Sequence, residues 1–188
     1  MVAQKICQGI LHLFGWKWEA TAPDIKKCVL CVAPHTSNWD FVIGRLGYTA
    51  LGRNADFVIK KEWMKGPAGC ILRKMGGIGV DRSKAHRFTD HMAELYQKRD
   101  ILNLAVTPEG TRKATPKWKK GFYHIALKAN VPIIMVKIDY KTKTISLFDT
   151  FYPTGDETND IWNIQQLFKD VTPRNPKNFI LPEKPASK

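Results

Sequence analysis

The sequence predicts one α/β domain: a largely parallel or mixed central sheet with helices on both faces. Two observations predict it. Short apolar, β-rich runs alternate with longer amphipathic stretches along most of the chain, the rhythm of strand–helix–strand units whose helices cover a sheet. A chain of 188 residues, 44% of them apolar, buries one substantial core, and its length requires no second domain. No internal repeat or low-complexity linker interrupts it.

In chain order, residues 1–20 read MVAQKICQGILHLFGWKWEA and set Val2, Ile6, Ile10, Leu13 and Phe14 at helical spacing, so they are expected to form an amphipathic N-terminal helix. Two fates are open to that stripe. Trp16 and Trp18 suit a water–lipid boundary and Lys5 and Lys17 favour anionic headgroups, while packing against the chain's own domain is the commoner fate of such a helix. Residues 21–188 form the main domain. Strands are expected at 28–33, 56–59, 101–106, 132–138 and 144–147, and helices at 38–51, 62–74, 84–98, 119–129 and 158–168. The final stretch, VTPRNPKNFILPEKPASK, carries prolines that prevent long regular structure and reads as a surface arm.

Charge narrows the partners. Thirty Lys plus Arg against seventeen Asp plus Glu leave a formal +13, which favours an anionic partner: nucleic acid, a phosphorylated metabolite or acidic lipid headgroups. The cysteines are Cys7, Cys28, Cys31 and Cys70. With no leader-like segment at the start, they point to a reducing cytosolic setting without a disulfide framework. Cys28 and Cys31 form a C-x-x-C pair, but they lie among valines and leucine in KKCVLCVAP and no second pair exists; core packing is expected and no metal site. No apolar run reaches the ~18 residues that span a bilayer, so membrane contact is expected to be peripheral.

The chemistry concentrates in three stretches. In CVAPHTSNWD the apolar strand stops at Pro34, and Ser37 followed by Asp40 has the form of a capping box opening the next helix. His35 then lies in a strand-to-helix loop, where open α/β sheets place their ligands. A helix starting near Ser37 brings Asp40 back towards His35. The pair forms a general base steadied by a carboxylate; alternatively Asp40 only caps its helix and His35 only ends a strand. No G-x-S-x-G elbow supplies a nucleophile, although Ser37 is close in sequence. In LAVTPEGTRK, Gly110 permits a tight turn with exposed N–H groups while Arg112 and Lys113 add positive charge, a set suited to phosphate, or to an ordinary surface turn. In MGGIGVDRSK, glycines precede a short apolar strand and Arg82 follows, placed for a phosphate or for surface solvation.

Taken in order, His35-x-x-x-x-Asp40, Gly77 through Arg82, Thr107-Pro108-Glu109-Gly110-Thr111-Arg112 and Val131-Pro132-Ile133-Ile134-Met135-Val136 resemble the four-block pattern of the glycerolipid acyltransferase superfamily. Within it the 1-acylglycerol-3-phosphate (lysophosphatidic acid) acyltransferases are most similar. The resemblance covers roughly residues 28–138 and implies a glycerol-3-phosphate acyltransferase-like fold. It further implies transfer of a fatty acyl group from acyl-CoA or acyl-ACP, as co-substrate rather than bound cofactor, to the free hydroxyl of a lysophospholipid, with phosphatidic acid as product. By that resemblance His35 is the base and Asp40 its support; Arg82, Glu109, Gly110, Thr111 and Arg112 hold the glycerol phosphate; and Val131, Pro132 and Ile133 belong to the acyl-donor side or to structure. No metal is implied. Met135 stands where a second proline is usual, and Gly79 where a larger residue or proline is common.

The implied partners are a lysophospholipid, an acyl thioester and an anionic membrane surface at the cytoplasmic face, with acyl carrier protein as a further candidate. Three rival readings remain: an acyltransferase acting on another lysolipid, an esterase-type hydrolase in which His35 activates water, and a basic nucleic-acid-binding module. Against the last, the chain has no zinc-finger spacing, no RNP-like aromatic block and no recognition-helix pattern, and no nucleic acid is expected.

Overall fold

The computed structural model describes residues 2–80 and 85–183. Its strands are β1 (Lys17–Ala20), β2 (Lys27–Val32), β3 (Asp56–Lys60), β4 (Gly77–Val80), β5 (Leu102–Val106), β6 (Ile133–Asp139) and β7 (Thr144–Phe151). Its helices are α1 (Val2–Leu13), α2 (Trp39–Ala50), α3 (Gly66–Lys74), α4 (Ala85–Lys98), α5 (Gly121–Ala129) and α6 (Glu157–Gln166). The strands form one seven-stranded sheet in the order β1-β7-β6-β2-β5-β3-β4. Every neighbouring pair is parallel except the β6–β7 hairpin. The expected mixed, mostly parallel sheet with helices on both faces is therefore what the chain builds.

β2 explains why its sequence is apolar without alternation. It is the central strand, paired with β5 on one side and β6 on the other. Both its faces are covered, so the four inner positions, Cys28 to Cys31, are all buried. Val29 and Cys31 face a cluster that includes Met92 and Tyr96 of α4, Phe122 and Ile125 of α5, and Ile164 of α6. Cys28 and Leu30 face the opposite cluster, with Tyr48 of α2. Helix α1 lies beyond, where Leu11 packs with Ile43, Ile138 and Ile145. Gly47 permits this approach of α2 to the sheet, because a Cβ there would stand 2.7 Å from Cγ2 of Ile145.

The pleat also accounts for the C-x-x-C pair. Three residues apart on a strand, the two thiols project to opposite faces. Cys28 donates to Asn103 Oδ1 at 2.9 Å, and burial pushes its thiol up to about 12. Burial likewise raises Cys31, so both are protonated core side chains.

Three elements differ from the sequence-based expectation. Residues 1–20 are not one helix: α1 ends at Leu13, Gly15 turns the chain at φ 71°, and β1 joins the sheet edge, with Trp18 opposite Ile145. The stretch 62–74 divides into a 3-10 turn, Lys61–Met64, and α3. Gly66, at φ 66°, breaks it ahead of Pro67, a residue suited to the first turn of a helix. β7 extends to Phe151 through its hairpin with β6.

Candidate active site

His35 and Asp40 lie beyond the carboxyl end of the central strand, His35 in the segment linking β2 to α2 and Asp40 in the first turn of α2. The chain passes a cis Ala33–Pro34 bond before His35, and α2 begins at Trp39. The capping box forms only by half. Asp40 Oδ2 accepts the Ser37 N–H at 2.8 Å and the Thr36 N–H at 2.7 Å, but the Ser37 hydroxyl accepts from the Trp39 N–H at 3.2 Å instead of reaching one residue further. Sequence spacing thus marked the loop correctly while misplacing the N-cap by one residue; it is Asn38.

The carboxylate that folds the loop also meets the imidazole. His35 Nδ1 stands 3.3 Å from Asp40 Oδ2, with side chains 17% and 2% exposed. Nδ1 turned towards the buried carboxylate leaves Nε2 as the ring's outward nitrogen, the arrangement a general base requires. Asp40 Oδ1 accepts the Tyr140 hydroxyl at 2.6 Å. Burial alone would raise the Asp40 pKa, but hydrogen bonds from His35, Tyr140, Ser37 and Thr36 together outweigh it and hold the carboxyl below the usual aspartate range. Asp40 is therefore a fixed anion beside the ring.

The TPEGTR turn leaves the adjacent strand, β5. Pro108 and Glu109 are buried, Gly110 and Arg112 exposed, and Thr111 half-buried. Glu109 turns inward: its Oε1 accepts the His35 N–H at 2.9 Å, and burial raises its pKa, only partly offset by that bond. Arg112 Nη1 donates to Asn38 Oδ1, which sets the guanidinium at the start of α2. A cation beside the first-turn N–H groups of a helix makes a surface attractive to anions. Gly110 adopts φ 63°, and a Cβ there would stand 3.0 Å from Lys119 Cγ. Arg82 lies outside the described residues. Val131 and Ile133 pack in the main cluster and Pro132 is half-buried at the entry to β6, with Val29 opposite Ile133; Met135 is fully buried.

Residues the sequence did not single out complete the surroundings. Asn175, on the C-terminal arm, donates from Nδ2 to the Thr36 carbonyl at 2.8 Å and from its N–H to Thr36 Oγ1 at 3.2 Å. Arg174 lies 5.5 Å over the Trp39 ring. No spacing rule joins positions separated by 100 residues or more; proline enrichment of the arm was the only hint. Of the aromatics, Trp118 and Phe122 are core, whereas Trp39 and Trp63 are 53% and 64% exposed. Among the described residues no group of three or more His, Cys, Asp or Glu side chains is arranged to hold a metal ion.

Comparison with known proteins supplies independent information. A family model described as "Acyltransferase" matches residues 19–139. The human 1-acyl-sn-glycerol-3-phosphate acyltransferase beta is 27% identical, over 76% of this chain and 51% of its own length. The 1-acyl-sn-glycerol-3-phosphate acyltransferase of Haemophilus influenzae is 32% identical, over 66% of this chain and 54% of its own. The chain thus spans about half the length of the curated relatives it matches. Among solved structures, the 1-acyl-sn-glycerophosphate (LPA) acyltransferase PlsC from Thermotoga maritima shares the fold, with a TM-score of 0.59 at 20% identity over 91% of this chain and 80% of that one.

Proposed function

The chain belongs to the acyltransferase family, and from that premise we propose that it transfers a fatty acyl group from an acyl thioester, acyl-CoA or acyl-ACP, to the free hydroxyl of a lysophospholipid. The named relatives favour 1-acyl-sn-glycerol-3-phosphate as acceptor, with phosphatidic acid as product. The observation that carries the reading is the His35–Asp40 contact at the end of the central strand, Nδ1 on the carboxylate and Nε2 outward. Nε2 takes the proton of the acceptor hydroxyl as its oxygen attacks the thioester carbonyl. The tetrahedral intermediate collapses, the C–S bond breaks, and the leaving thiolate takes the proton from the imidazolium, which releases free thiol and returns His35 to its neutral form. The Ser37 and Trp39 N–H groups are engaged within the loop.

The test is release of free thiol from a long-chain acyl-CoA, then from acyl-ACP, with and without lysophosphatidic acid. Acceptor-dependent release supports transfer; release without any acceptor identifies a hydrolase and overturns the reading.

Arg112, with Arg82, is assigned the acceptor phosphate. Arg112→Ala is expected to raise the apparent KM for lysophosphatidic acid about tenfold with kcat little changed, the mark of lost ground-state binding. An unchanged KM would remove Arg112 from the phosphate site.

Access to lipid is assigned to α1 and an anionic membrane surface. The helix turns its inner face to α2, where Leu11 is buried and Gln4 and Gln8 donate to the Ala50 carbonyl. Its outer stripe is uncovered: Val2, Leu13 and Phe14 are 75%, 79% and 64% exposed. Among the described residues no helix is long and apolar enough to cross a membrane, so α1 is assigned to lie in the interface plane. Replacing Leu13 and Phe14 by glutamate is expected to weaken co-sedimentation with phosphatidylglycerol vesicles by at least about tenfold, since inserted apolar side chains contribute ~1.5–3 kcal/mol each when fully buried. Undiminished binding would assign the stripe another role.

A further inference from the structure

The four-block pattern accounts for His35 and Asp40 but not for what holds them in place. Asp40 Oδ2 serves three neighbours, the Thr36 and Ser37 N–H groups and His35 Nδ1. Oδ1 has one partner among the described residues, the hydroxyl of Tyr140 at 2.6 Å. A carboxylate rotates about its Cβ–Cγ bond, so the donor on Oδ1 acts with the two N–H groups on Oδ2 to keep that oxygen aimed at the imidazole. Tyr140 lies one residue past the segment that matches the family model, and the arm around Asn175 lies further beyond it.

We propose that Tyr140 and Asn175 are positioning residues for the acyl-transfer site, Tyr140 fixing the Asp40 carboxylate against His35 and Asn175 fixing the backbone between them. The proposal rests on the acyltransferase reading above. Tyr140 is itself held in place: Trp16 packs edge-on at 5.2 Å, and the Tyr140 N–H donates to the Thr172 carbonyl at 2.9 Å. Three residues along the arm, Asn175 grips Thr36 through its carbonyl and its hydroxyl. Thr36 adjoins His35 and lies in the loop that Asp40 closes, so the arm and the phenol hold the site from two sides. Arg174, between these two anchors, stacks on Trp39 and also faces the Tyr140 hydroxyl. Burial and the neighbouring Asp40 raise the Tyr140 pKa, which keeps the phenol a donor throughout the working pH range. Neither Tyr140 nor Asn175 is needed to touch a substrate.

The physical consequence is specific. A phenol donating to Oδ1 disperses part of the carboxylate charge that His35 senses. Removing that donor leaves Asp40 a stronger anion towards the ring and favours the imidazolium. Of the other ionisable groups around the pair, Glu109 on the His35 N–H is untouched by the change, whereas Arg174 loses the Tyr140 hydroxyl that it faces.

The test uses the full chain and the variants Tyr140→Phe, which retains the ring against Trp16, and Asn175→Ala. For Tyr140→Phe, kcat should fall about tenfold with the acceptor KM within about twofold. The acid limb of its kcat profile and the midpoint of the His35 ring signals in an NMR titration should both move up by roughly half a pH unit. For Asn175→Ala, kcat should fall at unchanged KM. An unmoved His35 midpoint in folded Tyr140→Phe overturns the proposal, even where kcat falls alongside the melting temperature, because that is the signature of a structural role alone. Wild-type kcat in Asn175→Ala removes the arm from it. The titration needs no turnover. If wild type releases no thiol with any acceptor, the acyltransferase reading fails, while the His35 midpoint still decides whether Tyr140 acts on the pair.

Discussion

His35→Ala is expected to reduce kcat by ~10²–10⁴-fold, the range for loss of a positioned general base, while leaving the fold intact. The loop does not depend on the imidazole. The His35 backbone N–H would still reach Glu109 Oε1, and Asp40 would still close the loop through the Thr36 and Ser37 N–H groups and the Tyr140 hydroxyl. The side chain lies outside the buried core clusters, so little packing is lost. The expected signature is loss of acceptor-dependent thiol release together with a wild-type circular dichroism spectrum and a melting temperature within a few degrees. A folded variant that turns over at the wild-type rate would show that another group takes the proton.

Asp40→Asn combines a catalytic loss with a loss of stability. In the active site the amide leaves the imidazole without its anion, so turnover should fall at least as steeply as for a lost orienting group, by ~10²-fold or more. In the fold, an amide nitrogen in place of one carboxylate oxygen either sets donor against donor at the Thr36 and Ser37 N–H groups or turns towards the Tyr140 hydroxyl, which must then accept instead of donate, and in both cases the bonds lose their charged acceptor. Hydrogen bonds to a charged group contribute ~1.5–3 kcal/mol each, and we expect a net loss of ~2–3 kcal/mol at neutral pH. The pH dependence has a definite sign. Because the folded Asp40 carboxyl is held below its ordinary value of 3.8, its stabilising contribution is fully present above that value. It is lost as pH falls through the lower, folded pKa. The stability difference between wild type and Asp40→Asn should therefore be present at pH 7 and shrink below about pH 4. Glu109 runs the other way, its pKa raised by burial, so the two proteins must be compared at each pH. Urea unfolding at pH 7 and pH 3 decides it; a difference as large at pH 3 as at pH 7 would sink the linkage.

How much was legible follows from the range of each interaction. The His35–Asp40 pair could be read because five residues on a strand–turn–helix path leave few geometries, and the carboxylate returns to the loop that carries the histidine. β2 was legible as a buried strand for a similar local reason: an unbroken apolar run bounded by lysines and Pro34. β1 was not. Its four residues, Lys17 to Ala20, follow Gly15, which ends the helix, but so short a stretch becomes a strand only by pairing with Thr144 to Leu147. The split of 62–74 was available in Gly66-Pro67 but was outweighed by the helical spacing around it. Glu109 was attached to the phosphate by the resemblance of its Glu-Gly-Thr-Arg turn to the family's; only the three-dimensional loop shows its oxygen on the His35 N–H.

The sequence by itself determined the α/β class, the central buried strand, the loop after it and the His35–Asp40 pair, because each is written in periodicity or in spacing of a few residues. Only the tertiary structure decided which strands are neighbours, which face of α1 is covered, and that Tyr140 and Asn175 bond to Asp40 and Thr36. Those contacts join residues 100 or more positions apart, and the free energy that selects them comes from closing the whole sheet and both helical layers at once. No short stretch of chain records that sum.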